Sequence, residues 1–356
     1  WQIVGWSGIA AGILILSFYS VIAGICLNYI FIAATSTGVI NSAEQFGNII
    51  SSPLNLLAWH TLFMFLTATI VSAGINRGIG RMVKILMPML GVLLIFMVIN
   101  GILSGGFARA FSFLFAPDFS QVNSNTFLSA MGQAFFSLSL GMGSIMAYGA
   151  YMPKEQKIIS TSFTVASLDT LVAIFAGLAI FPIIFAFGLE PNSGPGLVFE
   201  SLQTAFNQMS YGQIVGPLFF ILLSVAALSS SISLLEPGVA FISEEGSMSR
   251  KSAAISISLV TWILGIGTVL SFNLWSDFNL TPGRNFLDSM DFIANQILLP
   301  LGGMLIAIFV GWFMDKNLIN EEIGDVNPIL YSTWRFFVKF IAPISVAIIF
   351  YNAIFG

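Results

Sequence analysis

Asp169 stands inside an otherwise apolar stretch, residues 167–182, which with its flanks is long enough to cross a bilayer. A carboxylate at membrane depth costs about 2.5–3.5 kcal/mol on insertion scales, so such a group usually faces a partner or a water-filled path. A cation that binds and leaves would give this carboxylate a use; a structural bond to a neighbouring Ser or Thr is the alternative. Oxygen donors recur at membrane depth in two further places. Residues 133–144 read Gln-Ala-Phe-Phe-Ser-Leu-Ser-Leu-Gly-Met-Gly-Ser, and residues 226–233 read Ala-Ala-Leu-Ser-Ser-Ser-Ile-Ser, with Glu236-Pro237 after them. Gly and Ser weaken a helix at its middle and free backbone carbonyls, which broken transporter helices turn toward ions and substrates. Small residues also permit close helix packing. The first segment, with Gly141 and Gly143 around Met142, points to a break; for the second both readings stay open.

The elements that must hold these groups are membrane helices. The 356 residues are 57% hydrophobic and 8% charged, with a mean hydropathy of +0.94. Soluble domains carry about 25% charged residues, so the composition specifies an integral membrane protein. The apolar segments have helix length and lack the ten-residue alternation of an outer-membrane barrel. Lipid offers the backbone no hydrogen-bond partner, which leaves an all-α polytopic architecture. Nine spans are expected, over 8–33, 53–73, 82–104, 127–152, 160–187, 210–242, 253–272, 286–314 and 330–355. If the chain weaves back and forth, Arg77, Arg81, Lys84, Lys154, Lys157, Arg250, Lys251, Lys316, Arg335 and Lys339 fall on one side, and only Arg109 and Arg284 on the other. The positive-inside rule then puts Trp1 in the cytoplasm and Gly356 outside, in a cytoplasmic membrane. The connections are short except 105–126 and 188–209, both expected outside. The chain opens at Trp1, mid-pattern, which suggests a sequence incomplete at its N-terminus.

Other residues carry weaker signals. Cys26 is the only cysteine, so an intramolecular disulfide is excluded, and packing is its expected role. His60, the sole histidine, reads as an interfacial residue, because one His makes no metal site. Glu236, near the cytoplasmic end of its span, reads as a residue reaching the interface. Asp288 and Asp291 share a helix face near the outer mouth, where an exposed acidic rim is the simplest reading. Trp1, Trp6, Trp59, Trp312 and Trp334 fall near span ends as interface anchors. No triad order, His-Glu-x-x-His or phosphate loop is present, so no enzyme is expected.

Several segments in order resemble the neurotransmitter:sodium symporter family, in particular its bacterial members. They are residues 133–143, Asp169-Thr170-Leu171 through Phe181-Pro182, and Ala226 to Pro237. Gly74-Ile75, Lys84-Ile85-Leu86-Met87-Pro88, Phe115-Ala116-Pro117-Asp118-Phe119 and Asn327-Pro328 leading to Trp334-Arg335-Phe336 extend the likeness over essentially the whole chain. The resemblance implies the LeuT-like fold of two inverted five-helix repeats. The chain would begin at the family's third helix, without its first two. Residues 1–104 would then be the remainder of the first repeat, 127–314 the second and 330–355 an additional helix of one transmembrane domain over 1–356.

The same resemblance implies roles. Ser137 and Asp169 would bind a first sodium ion. The Ala226 carbonyl, Ser229 and Ser230 would bind a second. Tyr19 would bond the substrate carboxylate, Phe136 would be the lid, and Ile15, Ser139, Met142 and Leu234 would line the side-chain pocket. Asp291 would be the acidic half of an external gate and Glu244 that of an internal one. The implied activity is sodium-coupled symport of a small amino acid or related amine by alternating access. Na⁺ would be the coupling ion, with no organic cofactor and no nucleic acid partner. The competing expectation is a non-transporting membrane protein or complex partner that lacks the binding core.

Overall fold

The computed structural model describes residues 1–36, 41–153, 155–191, 194–246, 248–323 and 327–355, so Lys154 and Gly356, both used in the orientation argument, lie outside the described residues. Helices follow one another in the order α1 (Gln2–Thr35), α2 (Ser42–Ile50), α3 (Pro53–Ser72), α4 (Ile75–Leu103) and α5 (Phe107–Phe115). The chain continues through α6 (Ser124–Ser137), α7 (Ser144–Ala150), α8 (Ile158–Ala186) and α9 (Leu202–Gln208). It ends with α10 (Gly212–Glu245), α11 (Arg250–Ser271), α12 (Phe286–Phe313), α13 (Lys316–Ile323) and α14 (Pro328–Asn352).

Eight of these, α1, α3, α4, α8, α10, α11, α12 and α14, are long and apolar enough to cross a membrane. They account for eight of the nine expected spans. The remaining one, 127–152, is present as the two short helices α6 and α7, separated by a non-helical turn. The Ser-rich span is different: α10 runs unbroken through residues 226–233, despite Pro217 and Pro237. There the hydroxyls bond back to their own helix, Ser229 to the Ala226 carbonyl and Ser231 to that of Leu228, both at 2.8 Å. The break considered for that segment is absent.

α1 and α10 form the centre. In their most apolar windows 61% and 56% of residues are buried, against 11% for α14 and 17% for α4, which lie at the periphery. Glycine lets the central pair meet closely, since a Cβ at Gly12 would stand 2.8 Å from the Leu234 carbonyl oxygen. α3 and α11 complete this group around α1. His60 on α3 is fully buried there, not interfacial: its Nε2 lies 3.2 Å from the Trp262 carbonyl and its ring stacks parallel to Trp262. A Cβ on Gly265 would overlap that imidazole, so the glycine is what admits the histidine into the helix contact.

The two ends of the bundle agree with alternating helix directions. At one end Arg250 Nε donates to the Val71 carbonyl at 3.3 Å, joining the start of α11 to the end of α3. At the other, Asn273 bonds the Ile50 carbonyl at 2.8 Å and Gln213 bonds that of Ser36 at 3.2 Å. On this second end lie α2 and α9, which the sequence reading treated as connection. Asn207 of α9 reaches Ser42 of α2 at 3.4 Å.

Candidate ion and substrate site

The interruption between α6 and α7 is where the chemistry-bearing residues gather. α6 opens on a capping box in which Asn123 and Thr126 satisfy each other's backbone N–H groups. It closes at Ser137. Ser139, Gly141 and Gly143 then take positive φ of 56°, 82° and 81°, a region glycine enters freely and serine does so at a cost. Gly141 also lies so close to the Leu299 backbone of α12 that no side chain would fit. On the other side, a Cβ at Gly8 of α1 would come within 2.9 Å of the Gly143 nitrogen. The turn is thus wedged between two helices, and glycine is required by both conformation and space.

The Ser137 hydroxyl, at the last position of α6, donates a short hydrogen bond to the Asp169 carboxylate of α8. The pair predicted to hold the first sodium ion is therefore brought together. Both are oxygen donors, and the carboxylate keeps unused lone pairs, so the arrangement can take a hard cation. The second predicted ion site has its members within one turn of α10, where Ser229 donates to the Ala226 carbonyl at 2.8 Å. Tyr19 of α1, the tyrosine assigned to substrate, packs against the same buried clusters as Leu228 of α10, two residues before Ser230.

Ile15, Met142 and Leu234 are buried in one cluster, with Tyr19 packed against it, so three of the four expected pocket residues meet. The fourth, Ser139, lies in the turn beside them. Phe136 is not among the buried residues of that cluster. It lines a cavity of about 540 Å³ with Gln133, Phe135, Asp291, Asn295 and Leu299, among others, between α6, α12 and the end of α14. Asp291 accepts a 2.6 Å bond from Asn295 one turn along α12. Glu244 is exposed near the end of α10.

Sequence reasoning underrated Glu236. It is completely buried, forming a 2.5 Å ion pair with Arg250 and accepting a 2.9 Å bond from the Tyr151 hydroxyl. Among the described residues this is the one ion pair. Tyr151 belongs to a stripe on the α7 side: Ser144 bonds the Ser233 carbonyl and Tyr148 the Ser233 hydroxyl, each at 2.8 Å. The spacing 144, 148, 151 is that of one helix face and matches Ser233 and Glu236 on α10. That polar stripe was the available signal. Arg250 entered the reading only as a charge marking the inner side.

A multi-pass helical bundle with an interrupted helix at its polar centre is the architecture of a membrane transporter. Residues 40–356 match the sodium:neurotransmitter symporter family, and the chain belongs to that family. It is 35% identical to an uncharacterized sodium-dependent transporter, YhdH, of Bacillus subtilis, over 99% of this chain and 80% of that protein. A second uncharacterized sodium-dependent transporter, from Haemophilus influenzae, is 34% identical over 100% of this chain and 79% of its own length. Among solved structures, MhsT in complex with L-phenylalanine is similar with a TM-score of 0.91 and 44% identity, over 99% of this chain and 81% of that one. The fold expected from the sequence is therefore the fold observed, and the chain is a sodium-dependent symporter of this family; the reading as a non-transporting membrane protein is not favoured.

Proposed function

We propose that the protein carries a small amino acid or related amine with a neutral side chain into the cell, driven by sodium and by alternating access. The observation that carries this is the meeting of Ser137 and Asp169 at the helix break, beside the cluster of Ile15, Met142 and Leu234. In this reading Ser137 and Asp169 bind one Na⁺, and the Ala226 carbonyl, Ser229 and Ser230 bind another. Tyr19 orients the substrate carboxylate, and Ile15, Ser139, Met142 and Leu234 surround its side chain, with Phe136 closing above. Asp291 serves the outer gate and Glu244 the inner one. Residues 127–314 act as the second inverted repeat. The membrane is the cytoplasmic one with Trp1 inside, and the chain performs no covalent chemistry. L-Phenylalanine bound to MhsT supports an amino-acid substrate.

The test is uptake of labelled amino acids into proteoliposomes with Na⁺ or choline outside. Accumulation of at least one neutral amino acid only with Na⁺ is expected; equal uptake in both media would overturn the proposal.

A further inference from the structure

The outer acidic group has a neighbour to which no role has been given. Asn295 sits four residues after Asp291 on α12, inside a π-helical turn, Phe292–Leu298, that widens the helix at this point. The Asn295 amide nitrogen is 2.6 Å from an Asp291 oxygen. A carboxylate is an acceptor only, so the contact fixes which way the carboxamide faces: nitrogen toward Asp291, oxygen away. That oxygen, Asn295 Oδ1, is buried and has no hydrogen-bond partner. Both residues line the cavity shared with Gln133, Phe135 and Phe136. Asp291 also borders a second depression, with Arg284, Asp288, Phe292 and Gln296, in which the Arg284 guanidinium stacks 4.0 Å above the Phe292 ring.

Two features separate this contact from ordinary packing. A hydrogen bond to an ionised acceptor is about twice as strong as a neutral one, so it holds the carboxylate in one orientation. A buried carbonyl oxygen left unpaired is unfavourable, so packing alone does not account for Asn295 in this position. With one Asp291 oxygen occupied, its second oxygen and Asn295 Oδ1 are the acceptors left for a cationic group that closes over the cavity.

We infer that Asn295 is a positioning residue for the outer gate: it orients Asp291 and adds its own oxygen to the acceptor pair that a basic group meets on closure. The inference rests on the reading of Asp291 as a gate. Its effect belongs to the rate of closing over bound substrate, and substrate affinity at equilibrium should change little.

The test compares Asn295→Leu, which keeps size and removes both polar groups, with Asn295→Gln, which keeps the donor, each alone and combined with Asp291→Asn. Sodium-driven uptake and equilibrium binding of the best transported amino acid are measured in the intact protein. Losing a bond to a charged group corresponds to about a tenfold fall in maximal uptake for Asn295→Leu, with binding changed less than about threefold and with activity largely restored in Asn295→Gln. In the Asp291→Asn background, Asn295→Leu should add nothing further, since the two act as one unit. If Asp291→Asn abolishes uptake and Asn295→Leu transports normally, the positioning role is wrong while the gate stands. If the two losses multiply independently, Asn295 is structural only. If Asp291→Asn transports normally, the gate reading itself fails and this inference with it.

Discussion

The hydrogen bond from Ser137 to Asp169 brings together the hydroxyl and the carboxylate proposed for the first sodium ion. Ala173, one helical turn after Asp169, offers neither charge nor hydroxyl, so Asp169 is the acid available to balance sodium on that face of α8. Transport should therefore run equally well in chloride and in gluconate, and Asp169→Asn should lose most activity in gluconate. Strict chloride dependence of the parent would refute this. Ser229 sits at hydrogen-bonding distance from the carbonyl assigned to the second ion. Ser229→Ala should raise the Na⁺ concentration for half-maximal uptake severalfold, roughly what the loss of one neutral oxygen donor costs; an unchanged value would remove Ser229 from the site. Met142 is buried against Ile15 and Leu234, so Met142→Phe should shift preference toward smaller side chains, read from competition by glycine, alanine, leucine and tryptophan. Asp169 stands out as a carboxylate at membrane depth, whereas the roles of Ser137, Ser229 and Met142 come from the family resemblance. Glu236 was misread because its partner Arg250 opens the following helix, and hydropathy does not tell which side chains of two neighbouring helices meet.

At the scale of elements, the span bounds were legible to within three residues, except that α1 begins six and α4 seven residues earlier than expected, since length and hydropathy determine them. The short helices α2, α5, α9 and α13 were not, because none is an apolar run of spanning length. The interruption at 138–143 was readable from Gly141 and Gly143. The continuity of α10 through its serines was not, since hydroxyls that bond back to the previous turn satisfy themselves without breaking the helix. Gly141→Ala tests the turn. It combines a positive φ with a backbone contact that leaves no room, so destabilisation and loss of uptake are expected together, measured by thermal unfolding in detergent beside flux. The Glu236–Arg250 pair tests the other half. Arg250→Met strands a buried carboxylate, a change that costs about 3–5 kcal/mol in comparable pairs. It should lower the unfolding temperature more than Tyr151→Phe, which removes one neutral donor to the same carboxylate.

For the molecule as a whole, the two proposed cation sites have an energetic consequence. Each Na⁺ entering down the membrane potential releases about 2.3 kcal/mol per 100 mV. Two ions moving with a neutral zwitterion release about 4.6 kcal/mol, enough for roughly a 10³-fold substrate gradient at about 1.4 kcal/mol per decade. Uptake should then be electrogenic, and a valinomycin-clamped interior-negative potential should accelerate it. Insensitivity to potential would exclude the two-ion stoichiometry.

The order in which these parts meet also matters during synthesis. The glycines of α1 are made before α10, yet Gly12 closes on Leu234 with only 2.8 Å from its would-be Cβ to that carbonyl oxygen. The carbonyl of Val71 likewise receives Arg250 only after 179 more residues have been made. A nascent chain that has passed α3 thus carries its smoothest helix surfaces into the bilayer long before their counterparts leave the ribosome. The early helices must wait in lipid or against the insertion machinery. Chains arrested before Arg250 should therefore be far more prone to degradation than those arrested after Ser271.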